Sequence, residues 1–434
     1  MRRFAIGLAL LVSCAARPEG ATPAPVGVAS AQVAFDAPVT SSEPSPAPPI
    51  DAPAPIAVVE RPPPPDAAAI RRLSARLSAL VAAARLGGRR SIVVTDFASG
   101  AVLHDDGGAL ELVPASNTKL FTTAVALDTL GDDHRLETRL VAHGAIDAQG
   151  TLEGDLALES GEDFTWSMRD EKHPGAIVDD LVERAFAAGL RRVSGRAVAT
   201  GTFFVEGSRG AEYEAPAHRA KAQARLVAAL RKRRIAVGGK PAPGSAETVV
   251  ATLPSPPLLD AASVINRRSH NGFAEVLLLH LGARAESSPT AEAGERAIAA
   301  WLGKREITGA HLVDGSGLSR GNHASAGSIV RVLTLMAERH PTFASTLAVA
   351  GEAGTVASRM TGDDTRGRVL AKTGTLAEVT ALAGYVDNRH DHRRYVFAIV
   401  LNEVRDITGG RRLEDRLVEA IAAPWALPEV KSPP

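Results

Sequence analysis

The sequence predicts an α/β chain of the α+β type, with a central antiparallel sheet flanked by helices and a smaller inserted subdomain. Three observations predict it. A hairpin pattern, "SIVVTDFASGAVLHDDG" (91–107), opens the folded part, and three strand patterns close it: "RVLAKTGTL" (368–376), "ALAGYVDN" (381–388) and "RRYVFAIVLN" (393–402). Helical periodicity returns after residue 262, so one sheet is expected to be assembled from both ends of the chain. Residues 136–250 depart from that periodicity: "LETRLVAHGAIDAQGTLEGDLALES" is strand and turn, with helix patterns only at 176–189 and 217–233.

From the start, "MRRFAIGLALLVSC" carries two arginines, a short apolar run and the chain's only cysteine. That is the pattern of a secretory signal over residues 1–13, too short to span a membrane. Leu11-Val12-Ser13-Cys14 resembles the bacterial lipobox. On that resemblance Cys14 is lipidated and anchors the protein in the periplasm, and Ala15 after it favours the outer membrane. A plain signal peptide with a stray cysteine is the alternative reading. Residues 14–66 hold half of the chain's 28 prolines and few large apolar side chains, which predicts a disordered, partly polyproline linker. With one cysteine, no disulfide can form within the chain.

At 434 residues and 45% apolar, the chain can bury a sizeable core. Lys plus Arg and Asp plus Glu are equal at 49 each, and aromatics are only 4%, so neither a global basic field nor stacking platforms argue for a nucleic-acid partner.

The folded part begins at residue 67. Ile70, Leu73, Leu77, Leu80, Val81 and Ala84 form one apolar helical stripe, closed by Gly87-Gly88. In "ELVPASNTKLFTTAVAL" (111–127) a helix is expected from about Ser116 to Leu130, apolar on most faces and therefore buried, with Ser116 at its cap. Further helices follow at "AEVLLLHLGARA" and 291–302, and one over 411–423 closes the chain. The main domain thus comprises 67–135 and 251–434, and 136–250 is the insert.

Three short motifs occur in order: Ser116-Asn117-Thr118-Lys119, Ser269-His270-Asn271 ahead of a helix, and Lys372-Thr373-Gly374 on a strand. Each alone is weak, and Ser116 alone reads as a helix cap. Together they are the S-x-x-K, S-x-N and K-T-G set of the penicillin-recognising serine acyl enzymes. The chemistry explains the residue types. Spacing i, i+3 puts the Ser116 hydroxyl and the Lys119 amine on one helix face. A lysine made less basic by burial and by a second cation, for which Lys372 is the candidate, can take the serine proton. The helix N-terminus adds partial positive charge where an oxyanion develops. Ser269 can relay a proton to a leaving amine, and Asn271 can hold Lys119 and a substrate amide. Lys372 and Thr373 can bind a carboxylate, while Gly374 lets a substrate backbone lie against the strand.

Around these motifs the text closely resembles the class C low-molecular-mass penicillin-binding proteins, the D-alanyl-D-alanine carboxypeptidase/endopeptidases of the penicillin-binding protein 4 type. The pieces that carry it are "LVPASNTKLFTTAVALDTLGDDHRLETRL", "INRRSHNGFAEVLLLHLG", "LVDGSGLSRGNHAS", "GEAGTVASRM" and "VLAKTGTLAEVTALAGYVDN". The resemblance implies a β-lactamase/transpeptidase-like domain with Ser116 as nucleophile, Lys119 as base, Ser269 as second triad serine and Lys372 as carboxylate binder. It also implies an oxyanion hole from the N–H groups of Ser116 and Thr375, peptidoglycan peptides as substrate, β-lactams as covalent inhibitors, and no cofactor. Asp314, Gly315, Ser316, Gly317 and Leu318 match the family's "DGSGLSR" loop and read either as support near the site or as a plain turn.

The second motif carries His270 where the family commonly has Asp; its side chain is expected to point away from the site and to be tolerated. The interval between Lys119 and Ser269 is shorter than in long members, so an inserted domain is trimmed. His390-Asp391-His392 is read as a solvated turn rather than a metal site, and Arg231-Lys232-Arg233-Arg234 as a solvated helix end. Two rival functions stay open at this stage: a catalytically silent peptidoglycan-binding lipoprotein, and a β-lactamase or esterase on the same scaffold.

Overall fold

The computed structural model describes residues 62–425 apart from 162, 164–174, 202, 204, 208–209, 213–215, 242–243 and 245. The signal segment 1–13, Cys14 and the linker up to residue 61 lie outside the described residues. Helix α1 (Ala67–Ala84) starts where the Asp66 carboxylate accepts from the Ala68 and Ala69 N–H groups. It ends in a left-handed Arg85, not at the two glycines the sequence suggested. Strands β1 (Arg89–Asp96) and β2 (Val102–Asp106) form the hairpin, and a 3₁₀ turn at Ala115–Asn117 leads into α2 (Thr118–Leu130).

Strands β3 (Glu137–Ile146) and β4 (Thr151–Glu159), helix α3 (Ala176–Ala187), strands β5 (Arg192–Val193), β6 (Ala197–Thr200), β7 (Val205–Gly207) and β8 (Gly210–Glu212), helix α4 (Pro216–Lys232) and strands β9 (Ala236–Val237) and β10 (Glu247–Pro254) follow. They hold their own sheet, ordered β10-β3-β4-β5-β9 with β6 on β4, and their own apolar core, where Leu156 and Leu158 meet Leu181 and Leu226. The basic run at the end of α4 is tied down on α3: Lys232 pairs with Asp179, and Arg233 with Glu183.

The chain then runs through helices α5 (Leu258–Arg268), α6 (Asn271–Glu286) and α7 (Ala291–Gly303) and strands β11 (Ala310–His311) and β12 (His323–Ala324). Helix α8 (Ala326–Arg339), strands β13 (Ala348–Val349), β14 (Val369–Leu376), β15 (Val379–Asp387) and β16 (Arg394–Asn402) and helix α9 (Ile407–Ala422) complete it. The main sheet runs β13-β14-β15-β16-β1-β2, so the N-terminal hairpin closes onto the last strand, as the sequence predicts. Along β16, Val396, Ala398 and Val400 enter the core under α2, α6 and α8, while Tyr395, Phe397 and Ile399 enter the core under α1 and α9. The near-continuous apolar run "YVFAIVL" follows from this: both faces of an antiparallel sheet are covered, so neither phase of the alternation is polar.

Candidate active site

Ser116 is delivered by a segment clamped from three sides. The Asn402 side chain, at the end of β16, accepts from the Val113 N–H at 2.9 Å and donates to the Val113 carbonyl at 3.0 Å. Leu112 exchanges both backbone hydrogen bonds with Ala324. On the third side Gly317 lies so close that a Cβ there would stand 1.9 Å from the Ala115 carbonyl oxygen. Its φ of +84° adds a second reason for glycine. Ala115 itself has φ +48°, uncommon for a residue with a Cβ, and this turn presents the next residue, Ser116.

The α-helix begins at Thr118 rather than at Ser116, and the Ser116 side chain caps nothing. The expected cap is corrected by the 3₁₀ turn: it satisfies the first donors through backbone, the Asn117 N–H bonding the Pro114 carbonyl, which frees the hydroxyl.

That hydroxyl faces Lys119, whose Nζ is 3.1 Å from Ser116 Oγ. The same amine lies 2.8 Å from Asn271 Oδ1 and 2.5 Å from the Ser316 carbonyl oxygen. Burial lowers Lys119 to about 8, against an opposing pull from Asp314 and Glu275. The partner set decides where the protons sit. Asn271 Oδ1 and the Ser316 carbonyl are acceptors only, so a neutral amine spends its two N–H bonds on them and turns its lone pair to Ser116, which can donate. The geometry therefore holds an amine aimed at a hydroxyl proton.

Lys372 is fully buried and is held well below its ordinary value, first by burial and then by Lys119. It donates to Ser269 Oγ at 2.9 Å and to the Thr373 carbonyl at 2.7 Å. The sequence reading named burial and Lys372 together as what makes Lys119 less basic; for Lys119 burial is the dominant cause. Ser269 is the left-handed end of α5 (φ +58°), and Asn271 opens α6 two residues later, so one sharp corner supplies two site residues. His270 occupies the corner between them. Its Nδ1 accepts from the Phe273 N–H at 3.1 Å, capping α6 in the manner an aspartate would.

Gly374 makes a close approach that the sequence reading did not include. A Cβ there would stand 2.8 Å from the Pro114 carbonyl oxygen and 3.2 Å from Ala115 Cβ. The missing side chain thus lets β14 approach the Ser116 turn itself, in addition to the room for a substrate backbone that the sequence reading assigned to it. Thr375, the next residue, is exposed, and the Thr373 hydroxyl donates to Thr355 Oγ1 at 2.9 Å. His390 pairs with Asp364 at 2.9 Å.

Glu275 was missed by the sequence reading. Its carboxylate accepts from the Gly315 and Ser316 N–H groups at 3.1 and 3.0 Å, fixing the loop whose Ser316 carbonyl holds Lys119. Burial and Asp314 raise its proton affinity. The signal was there: a lone acid in "NGFAEVLLLHLG", four residues after Asn271 and so on the same helix face. Asp314 stiffens the same loop by accepting from Gly317 and Ser319.

A helix-covered antiparallel sheet that brings a Ser–Lys pair, a second serine and a second lysine to one sheet edge defines the class of penicillin-recognising serine acyl enzymes. Comparison with known proteins narrows this. The sequence profile of the D-Ala-D-Ala carboxypeptidase 3 (S13) family matches residues 73–229 and 212–423, and the chain belongs to that family. It is 29% identical over 406 residues to a D-alanyl-D-alanine carboxypeptidase of Actinomadura sp. (strain R39), covering 69% of this chain and 75% of that one. It is 30% identical over 382 residues to the carboxypeptidase DacB of Mycolicibacterium smegmatis, covering 76% and 80%. The fold is similar to that of penicillin binding protein 4 from Haemophilus influenzae, with a TM-score of 0.64 at 21% identity over 80% of this chain and 99% of that one. The protein is accordingly a serine-type D-Ala-D-Ala carboxypeptidase of the S13 family.

Proposed function

We propose that Ser116 attacks the D-Ala-D-Ala end, or a D-Ala-diaminopimelate crosslink, of peptidoglycan stem peptides. Lys119 takes the serine proton as the Oγ–C bond forms. The oxyanion is held by the N–H groups of Ser116 and Thr375. As the C–N bond breaks, the leaving amine receives a proton through Ser269, which Lys372 orients. Water then hydrolyses the ester along the reverse proton path, and a β-lactam, mimicking the scissile amide, stops at the acyl-enzyme. The single observation that carries this reading is the Lys119 amine, buried and 3.1 Å from Ser116 Oγ, with its other two partners acceptors only.

The test is a covalent one. The full chain is incubated with fluorescent penicillin and weighed intact, with Ser116→Ala alongside. One adduct on the wild type and none on the variant is expected; an unlabelled wild type refutes the acyl-enzyme. Rapid loss of the label with high turnover of penicillin points instead to a β-lactamase.

The site of work is part of the same proposal: a periplasmic enzyme anchored in the outer membrane through lipid on Cys14, its catalytic domain on the proline-rich tether. The motif ending in Cys14 supports it. Metabolic labelling with a fatty-acid probe, lost in Cys14→Ser together with the membrane fraction, tests it.

A further inference from the structure

The family expectation places a substrate carboxylate on Lys372. The geometry leaves Lys372 poorly suited to supply that charge: it is fully buried, and its amine is engaged by Ser269 Oγ and the Thr373 carbonyl. Charge for an exposed anion has to come from a group at the surface of the strand. Thr373 and Thr375 share the face of β14 opposite Lys372 and Gly374. Thr375 pairs in register with Thr380, whose hydroxyl donates to Glu414 of α9, so this face looks toward α9. Three residues before Glu414, on the same side of that helix, stands Arg411. It is exposed, and its guanidinium donates to Thr375 Oγ1 at 3.0 Å. Its backbone is held from behind by Arg359, which donates to the Arg411 carbonyl at 3.3 Å and to Glu414 at 2.8 Å.

We propose that Arg411 is the charged anchor for the α-carboxylate of the residue that leaves from the scissile bond, acting with the hydroxyls of Thr373 and Thr375. The proposal rests on the serine peptidase reading above. A guanidinium beside a hydroxyl offers the planar fork that suits a carboxylate, and the two threonines lie along one strand face, so the anion bridges them. A free acid, the end of a stem peptide or the carboxylate of the amino acid released from a crosslink, is thereby separated from an internal amide.

The test measures acylation of the full chain by benzylpenicillin and by its methyl ester, which lacks the anion. Arg411→Ala is expected to slow acylation by the acid about 10- to 100-fold, the loss of a charge-assisted pair, while the ester stays within about threefold of wild type. Arg411→Lys should fall between, because it keeps the charge and loses the fork. Arg320, which donates to the Ala377 carbonyl past the end of β14, is a rival cation. Arg320→Ala should preserve the preference for acid over ester. The proposal is overturned by wild-type acylation of Arg411→Ala with the acid, by an equal fall with acid and ester, or by loss of the preference in Arg320→Ala instead. A wild type that is not acylated at Ser116 at all removes the underlying reading too, and so is told apart from failure of the anchor alone.

Discussion

In the proposed mechanism the reactive species is the free Lys119 amine, so the pH dependence of acylation reads the environment of one side chain. Burial brings Lys119 from 10.5 to about 8. At pH 7 roughly a tenth of the molecules then carry the free amine, at pH 8 about half and at pH 9 about nine tenths, whereas an exposed lysine would offer only a few parts in ten thousand at pH 7. Acylation by fluorescent penicillin, followed by stopped flow from about pH 6 to 10, should rise along a limb centred near 8 and then level. The apparent value belongs to the coupled pair of Lys119 and Lys372. Glu275→Gln supplies the perturbation. It removes one of the two anions that favour protonated Lys119 and keeps an acceptor for the Gly315–Ser316 loop. The limb should move toward acid by about half a unit to one unit, which raises acylation at pH 7 by roughly three- to fivefold without changing the plateau. A wild-type limb near 10, or a shift of the variant toward alkali, refutes the assignment of Lys119 as the base held by burial.

Three further outcomes follow from the same geometry. His270→Ala removes the cap of α6 and should lower stability by about 1 kcal/mol in urea unfolding, with acylation within about threefold of wild type; His270→Asp should restore the loss, and a tenfold fall in acylation at unchanged stability contradicts a capping role. Arg359→Ala leaves the fully buried Glu414 without its cation and should cost about 3–5 kcal/mol, most of it recovered in Arg359→Met/Glu414→Gln, whereas a cost under about 1 kcal/mol contradicts the pairing. Gly317→Ala forces a Cβ into the Ala115 carbonyl and should slow acylation at least about 100-fold, a misplacement effect; acylation at the wild-type rate contradicts the clamp.

The sequence made the sheet legible because its strands are locally patterned: "RRYVFAIVLN" and "ALAGYVDN" carry their own evidence, and β16 pairs β1 in the full register of eight residues. The three motifs were legible because they are written in side chains. What stayed hidden was written in backbone. The left-handed Ala115, the Ser316 carbonyl that holds Lys119, and the reason Gly374 is a glycine depend on which segments cross, and no local pattern encodes a crossing. Arg411 escaped for a related reason. It lies on a helix whose amphipathic pattern explains it as a surface residue, and only the pairing of Thr375 with Thr380 shows which strand end that surface covers.

The site gathers features that each oppose folding. Two lysines are buried, and Ala115 and Ser269 sit at positive φ. Because folded Lys119 releases its proton at a lower pH than an unfolded lysine, the unfolded chain binds more protons between about 8 and 10.5, and stability rises with pH across that window. Below it, the penalty for Lys119 is of the order of 3 kcal/mol. A site this costly persists because the scaffold over-determines it. The Ser116 turn is held by Asn402, Ala324 and Gly317, and the Ser269 corner by its place between α5 and α6. Both faces of the sheet behind them are closed by apolar cores, which is where the compensating stabilisation lies. The same burial that makes Lys119 expensive brings its proton release down to about 8, so in the proposed mechanism the cost and the catalysis have one physical origin.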